Sequence, residues 1–332
     1  MTAPGRPNVL FVTEKWTDCN PAEELSSVHH NFIAALNATG LAEISTCFFD
    51  ETAVQTGRHV DETLGQICQD EKPDMIVLKM VRGTDLNPAP EVLQLIRDRF
   101  GTKIVSIYGD TFDDFAIRWM EEYASSVDVS IVQDCYSNYP NKVAAPENYM
   151  DTWTPQDPSV FRGNDGDRPI DVSFVGRVQR YTSRKLYLSL LQEAGIEVMI
   201  AGGVSEADLP IADYAEIMRQ SKITLNFSQP VFDEPNFQCK GRTVEATLCG
   251  ALLIEDQNPE TVKWFTPGQD YVDFSDERDL VEKVRYYLEN DEDRRRIAAA
   301  GHRRATENYC AEKYWRLVFN RVWPTAFGPE SP

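Results

Sequence analysis

The sequence lacks long hydrophobic runs. Its longest apolar stretches, such as 8–12 and 75–78, are far too short to span a membrane. The first residues, Met-Thr-Ala-Pro-Gly-Arg-Pro, lack the apolar segment of a signal peptide. We therefore expect a cytoplasmic protein with no transmembrane segment.

Paired cysteines and a surplus of basic charge are also missing. The seven cysteines are odd in number and include no C-x-x-C pair, which argues against a disulfide framework and a zinc site. Only 33 Lys and Arg stand against 53 Asp and Glu, giving a formal net charge of −20. Such a charge repels polyanions at long range, so no nucleic-acid partner is expected, although a local basic pocket is compatible with it.

The pattern of apolar runs predicts a chain of two α/β domains, as its length of 332 residues also suggests. The strands of the first half read as near-continuous apolar runs, which is typical of a parallel sheet covered by helices on both faces. Strands are predicted at 8–13, 44–49, 74–79, 103–108 and 127–133, and helices at about 22–38, 60–70, 88–100 and 111–125.

Residues 136–170 interrupt this rhythm with five prolines and predict an interdomain linker. The alternation then restarts and predicts a second parallel sheet. Its strands are expected at 172–175, 197–201, 223–227, from Ala251 onward and at 271–274, and its helices at 183–194, 211–221, from Arg242 onward, at 278–290, 293–307 and 311–322. We therefore predict two Rossmann-like, doubly wound domains, 1–150 and 151–310, facing a cleft, with a C-terminal helical segment at 311–332.

A short helix opened by Lys240, Gly241 and Arg242 precedes the buried strand Leu252-Leu253-Ile254. The N–H groups and positive dipole end of a helix N-terminus suit a phosphate. Glu245, one turn inside, can accept hydrogen bonds from sugar hydroxyls. These features indicate a nucleotide-sugar site; the alternative is a helix-to-strand joint whose charges face water.

A second basic group follows the strand 172–175. Arg177 comes directly after Gly176, at the carboxyl end of that strand, and fits a diphosphate. Arg180, Arg184 and Lys185 either extend the phosphate site or form a solvated helix start.

The N-terminal half offers candidates at the ends of its own strands. Asp110 follows the strand 103–108, where it either acts as base or orients an acceptor, or else caps a helix; Asp113 and Asp114 are better explained as caps. His29 and His30 follow the loop 14–20, near the start of the first helix. They either take an acceptor's proton or are exposed helical residues.

Three stretches together resemble the group-1 glycosyltransferases of the GT-B architecture, and most closely a spore-protein-like branch with a short C-terminal transferase module. The resemblance covers roughly 172–320. The stretches are Phe174-Val175-Gly176-Arg177 followed by Arg184-Lys185; Gly241-Arg242-x-x-Glu245-Ala246-x-x-x-Gly250-Ala251-Leu252-Leu253; and Phe265-x-x-Gly268-x-Asp270-Tyr271-x-x-Phe274 with Ile297-Ala298-x-x-Gly301-His302.

The resemblance implies a role for each matching position. Glu245 is expected to bind the ribose hydroxyls of a nucleoside-diphosphate sugar. The backbone around Gly241, Arg177, and either Lys240 or Arg242 are expected to hold the diphosphate. Further candidate donor-binding residues are Gly176, Arg180, Lys185 and Thr243. Many relatives carry a further glutamate eight residues before this one, where this chain has Phe237, so the donor sugar stays open.

The family also implies a mechanism and an arrangement of the chain. Because the sequence offers no ligand set for a divalent ion and its basic residues can stabilise a diphosphate, we expect a hexosyl transfer that needs neither metal nor cofactor. Relatives usually retain the anomeric configuration, and the resemblance implies the same here. The leaving phosphate then takes the proton of an acceptor that the sequence does not identify. The last helix is expected to cross back to the N-terminal domain. The alternatives are a nucleotide-sugar epimerase of the same architecture and a non-catalytic nucleotide-sugar-binding protein.

Overall fold

The computed structural model describes residues 5–109, 114–133, 148–164, 166–178, 182–202, 209–228 and 239–324. The chain divides into two compact units: Met1–Asp157 with Ala311–Pro332, and Pro158–Cys310. The division thus falls at Asp157, later than the boundary at 150 that the sequence suggested. No helix within these described ranges is long and apolar enough to cross a membrane.

The first unit is built on a six-stranded parallel sheet of order β2-β1-β3-β4-β5-β6. Each central strand is buried along nearly its whole length, as its continuous apolar sequence predicts. The strands are β1 (Asn8–Thr13), β2 (Glu43–Phe48), β3 (Met75–Lys79), β4 (Lys103–Tyr108), β5 (Val129–Val132) and β6 (Tyr149–Asp151).

Among the residues that the structure describes, five α-helices connect these strands. They are α1 (Ala35–Thr39), which continues a π-helical segment His29–Ala34, then α2 (Phe49–Thr56), α3 (Asp61–Glu71), α4 (Pro90–Phe100) and α5 (Asp114–Tyr123). The short helix α2 was not predicted from the sequence.

The prediction of a helix over 22–38 is wrong for its first part. Trp16 forms an antiparallel bridge with Leu25, and the N–H of Ser26 donates to the carbonyl of Lys15 over 2.9 Å. These backbone bonds close a loop, so helical structure begins only at His29. The linker prediction over 136–170 is likewise wrong at 149–151, because β6 pairs in parallel with β5.

The second unit is built on a five-stranded parallel sheet of order β11-β10-β9-β7-β8. Its strands are β7 (Ile170–Val175), β8 (Met199–Ala201), β9 (Ser221–Asn226), β10 (Leu252–Asp256) and β11 (Val272–Phe274). Its helices are α6 (Thr182–Glu193), α7 (Ile211–Gln220), α8 (Gly241–Leu248), α9 (Glu277–Glu289) and α10 (Asp291–Asn308). The two parallel sheets with their helices have the predicted GT-B class of fold.

The last helix, α11 (Ala311–Val322), belongs to the first unit. Tyr314, Trp315, Val318 and Phe319 on its apolar face are fully buried. The ring of Trp315 meets Phe11 of β1 edge-on at 5.8 Å, and Tyr314 meets Phe32 at 6.1 Å. These aromatic contacts fix the chain's last helix against its first strand.

Arg168 joins the ends of two helices in the second unit. Its Nη1 donates to the carbonyls of Arg219 and Ser221 over 2.8 and 2.9 Å, where α7 ends. Its Nη2 donates to the carbonyl of Cys249 over 2.9 Å, directly after α8. Because the last carbonyls of a helix carry its negative dipole end, one guanidinium stabilises both helices at this point.

Close packing also holds α8 from the side of α10. A Cβ added at Gly301 of α10 would overlap the carbonyl oxygen of Asp270 and would lie 3.5 Å from Thr247 of α8. We expect Gly301→Ala to lower the free energy of unfolding by about 1–3 kcal/mol, measured by urea denaturation.

The matched control is Gly65→Ala on α3, where an added Cβ meets nothing within 4 Å. Alanine reduces the backbone entropy of the unfolded chain at such a site, so this variant should gain about 0.5–1 kcal/mol. Equal effects of the two substitutions would contradict the close approach at Gly301.

Candidate functional site

The start of α8 lies at the carboxyl edge of the second sheet, where ligands of open parallel sheets usually bind. Lys240 occupies the N-cap position in an extended conformation, and its carbonyl accepts the N–H of Thr243 over 3.0 Å. Gly241 is the first helical residue. The helix that the sequence singled out therefore presents its N-terminus at the edge where a binding site is expected.

Arg242 ties this N-terminus to two strands. Its Nε donates to the carbonyl of Val175, at the end of β7, over 2.6 Å. Its Nη1 donates to Oδ1 of Asn226, the last residue of β9, over 2.6 Å. The guanidinium also lies 4.9 Å from the ring centroid of Phe174, which adds a cation–π contact. Arg242 thus has a structural role that its sequence position did not reveal.

The position of Arg242 explains the glycine that follows β7. Gly176 has φ of +147°, a conformation that side chains rarely adopt, and a Cβ there would overlap Nη2 of Arg242. Gly202, after β8, has φ of +79°, and its Cβ would lie 3.4 Å from the backbone nitrogen of Gly176. Gly176 is therefore required by the packing of the site itself.

A buried polar network continues from Arg242. Asn226 donates from Nδ2 to Oγ1 of Thr243 over 3.2 Å, and that hydroxyl donates to Oε2 of Glu255 over 3.1 Å. Asn258 and Thr261 each donate to Oε1 of Glu255 over 3.0 Å. The side chain of Thr243 is thus occupied within the protein, so the network links α8 to the ends of β9 and β10.

Glu255 was not found from the sequence, although it closes this network. It is fully buried at the carboxyl end of β10. Burial, and then the neighbouring Asp256, raise the pKa of its carboxyl to about 7, against the opposing effect of its three hydrogen-bond donors. The sequence did hold a signal for it. Glu255 directly follows the apolar run that ends at Ile254, so a buried acid at the end of a strand could have been predicted.

Glu245 lies on the second turn of α8 and is 8% exposed. Its Oε2 accepts a hydrogen bond from the hydroxyl of Tyr214 on α7 over 2.7 Å. Burial, and then the charge of Glu245, raise the pKa of the Tyr214 hydroxyl well above its usual value. The tyrosine therefore stays a neutral donor to the carboxylate. This partner was not predicted from the sequence.

The basic group after β7 separates into buried and exposed members. Arg184 is 4% exposed; its Nη1 donates to the carbonyl of Arg177 over 2.7 Å and its Nη2 to that of Phe227 over 3.4 Å. Its interpretation as part of a solvated helix start is therefore wrong. Arg177 and Lys185 are exposed. Arg180 lies outside the described residues. So does Phe237, which stands where many relatives carry a glutamate.

The first unit places His29 and His30 at the start of its π-helical segment. The ring of His29 lies on Phe48, with centroids 5.0 Å apart and planes 32° apart. Burial, and then the charge of His30, lower the pKa of His29. Burial also lowers the pKa of His30, although the charges of Asp157 and Glu24 act to raise it. Both rings are therefore favoured in their neutral form.

Glu14 is a further acid that sequence reasoning missed. It follows β1 directly, and its carboxylate accepts from the hydroxyl of Ser26 over 2.6 Å and from the N–H of Cys19 over 3.2 Å. Burial raises its pKa. Asp110 and Asp113 lie outside the part of the chain that the structure describes. Within that part, no group of three or more His, Cys, Asp and Glu is arranged to hold a metal ion.

Comparison with known proteins gives one family model and many solved structures. Residues 180–318 match the family model described as glycosyl transferase-like. A search of the curated proteins finds no match. The family match includes Lys185, α8 and Glu245, but not Gly176 or Arg177.

The fold is shared with solved structures at low sequence identity. Anabaena HepE in complex with UDP and glucose has a TM-score of 0.64 and 11% identity, covering 96% of this chain and 99% of its own. An alpha-glucosyltransferase in complex with UDP-glucose and abasic DNA has a TM-score of 0.65 and 11% identity, covering 96% and 100%. A Listeria monocytogenes protein described as a UDP-N-acetylglucosamine 2-epimerase has a TM-score of 0.55 and 11% identity, covering 98% and 100%.

The raised pKa of Glu255 predicts how stability depends on pH. The folded protein keeps this carboxyl protonated up to about pH 7, whereas the unfolded chain loses the proton near 4.5. Between these values the folded state binds more protons, so its contribution to the free energy of unfolding falls as pH rises, and levels off above 7. The loss is on the order of 3 kcal/mol, from about 1.4 kcal/mol per pH unit.

We expect Glu255→Gln to remove this slope, measured as the difference between variant and wild type in urea denaturation from pH 5 to 8. Glu282→Gln, on the exposed face of α9, is the matched control and should leave the slope unchanged. A slope of the same size in wild type and Glu255→Gln would show that Glu255 does not titrate in this range.

Proposed function

We propose that this chain, whose residues 180–318 match the glycosyl transferase-like family and whose two sheets have the GT-B architecture, is a glycosyltransferase that uses a nucleoside-diphosphate sugar. We base this proposal on the position of the helix α8. Its N-terminus is fixed at the carboxyl edge of the sheet, with a carboxylate one turn inside. The range that matches the family model includes this helix.

The donor's diphosphate fits the first turn of α8. The N-terminal dipole of the helix carries about half a positive charge, and Lys240 adds a full charge beside it. Arg177, directly after β7, and Lys185, in the first turn of α6, are proposed to add positive charge, together with Arg180. The end of β7 lies at the same edge of the sheet as the start of α8, because Arg242 binds the carbonyl of Val175. Glu245 then takes the hydroxyls of the donor's ribose.

Arg242 and Thr243 serve this site through position. The side chain of Arg242 is bound to Val175 and Asn226, and that of Thr243 to Glu255. We therefore propose that they act on a diphosphate by holding the backbone of the first turn in place. Preorganised donors need no rearrangement when charge develops on the leaving group.

The chemistry we propose breaks the bond between the sugar's anomeric carbon and an oxygen of the diphosphate, and forms a bond between that carbon and a nucleophilic atom of the acceptor. The leaving diphosphate gains negative charge, which the start of α8 and its cations stabilise. In a retaining transfer, the leaving phosphate takes the acceptor's proton. His29, His30 and Asp110 remain candidates on the acceptor side; neutral His29 and His30 are able to accept a proton or a hydrogen bond.

Glu245→Ala should weaken binding of the donor nucleotide roughly ten- to a hundredfold, because a hydrogen bond to a charged group contributes about 1.5–3 kcal/mol. Titration calorimetry with UDP, GDP and ADP measures the effect. Glu282→Ala, which removes an exposed carboxylate from α9, should bind as wild type does. Unchanged affinity in a folded Glu245→Ala protein would contradict the proposed role.

Transfer should continue in EDTA, because fixed cations and a helix dipole are proposed to stabilise the leaving diphosphate in place of a metal ion. The measurement is release of nucleoside diphosphate from the donor, with and without chelator. Loss of activity in EDTA with recovery on adding magnesium or manganese would contradict metal independence.

Acceptor dependence separates the transferase from its rivals. An epimerase of the same architecture converts its donor without an acceptor, and a binding protein consumes none. A transferase should release nucleoside diphosphate faster when a panel of saccharide, lipid-linked glycan, small-molecule and protein acceptors is added. Conversion of the donor to its epimer at the same rate with and without every acceptor would favour the epimerase.

A further inference from the structure

We infer that Tyr214 is a positioning residue for the donor's ribose, acting through the carboxylate of Glu245. The inference rests on the proposed function and concerns the same site. Its basis is the direct hydrogen bond of 2.7 Å from the Tyr214 hydroxyl to Oε2 of Glu245, between two neighbouring helices.

The tyrosine itself is held firmly. Its ring meets Phe161 edge-on, with centroids 6.2 Å apart and planes 77° apart. Phe161 is 2% exposed and belongs to the segment before β7. Arg168, in the same segment, fixes the end of α7, on which Tyr214 lies. The hydroxyl therefore reaches Glu245 from a fixed point.

A fixed donor matters because a carboxylate has to present its oxygens in a defined plane to bind two adjacent hydroxyls. Glu245 is nearly buried, so keeping it ionised without hydrogen-bond donors is costly. A charge-assisted bond from a hydroxyl offsets part of that cost and restricts the side chain's rotation. The tyrosine hydroxyl stays protonated across neutral pH, so the bond persists under working conditions.

The chemistry predicts a selective effect. If Tyr214 acts through Glu245 on the ribose, its removal should weaken binding only of nucleotides that carry ribose hydroxyls. A tyrosine that merely supports the fold would weaken binding of every nucleoside diphosphate to the same degree. The two roles therefore differ in their dependence on the ligand.

The test compares Tyr214→Phe with wild type in calorimetric titrations. The probe is whichever of UDP, GDP and ADP the wild type binds most tightly, together with its 2′,3′-dideoxy counterpart. We expect Tyr214→Phe to bind the ribonucleotide roughly three- to thirtyfold more weakly, and the dideoxynucleotide as wild type does. In a Glu245→Ala background, Tyr214→Phe should add little further loss, because the two residues act as one unit.

Tyr286→Phe is the matched control. Tyr286 donates to Oδ2 of Asp293 over 2.6 Å, a pair of the same chemistry on the exposed side of α9. This variant should leave both affinities unchanged, and thermal unfolding should show all variants folded.

Equal losses for the ribonucleotide and the dideoxynucleotide, or additive losses in the double variant, would overturn the role of Tyr214 while leaving the donor site intact. A wild-type protein that binds none of the three nucleotides would remove the proposed function and this inference together. The two failures are therefore distinguishable.

Discussion

The guanidinium of Arg242 is the contact on which the candidate site depends. It binds the last carbonyl of β7 and the terminal side chain of β9 from the first turn of α8, and it covers the ring of Phe174. The guanidinium is only partly buried. These partners offset the cost of withdrawing its charge from water. The start of α8 is thereby fixed at the edge of the sheet.

Other features of the second unit follow from that contact. Gly176 leaves room for Nη2 of Arg242, and Asn226 passes the hydrogen bonding on to Thr243 and Glu255. At its far end, α8 is held by Arg168, and Gly301 lets α10 approach. A helix fixed at both ends can present backbone donors and Glu245 without reorganising, as the proposed stabilisation of a leaving diphosphate would require.

Much of the fold could be predicted because it depends on local pattern. The buried strands β1 and β4 have the bounds that their apolar runs indicated, and α11 begins and ends where its amphipathic pattern does. The helix predicted over 22–38 failed because backbone bonds between 15–17 and 24–26 close a loop, a pairing that helical periodicity does not reveal.

The sequence predicted where the candidate site lies in the chain, but not which of its side chains are bound within the protein. Sequence spacing located α8, Glu245 and Gly176, since each follows from a helix start or a strand end. It did not show that Arg184 and Arg242 bind carbonyls within the protein, nor that Tyr214 and Glu255 belong to the site. Those assignments depend on contacts between residues far apart in the chain, such as the bond from Tyr214 to Glu245.

The most direct test of the central claim is a crystal structure of the protein with the nucleoside diphosphate that it binds. We expect the diphosphate at the first turn of α8, beside Lys240 and Gly241, and both ribose hydroxyls within hydrogen-bond distance of the Glu245 carboxylate. A nucleotide bound elsewhere, or one whose ribose makes no contact with Glu245, would contradict the assignment of this helix as the donor site.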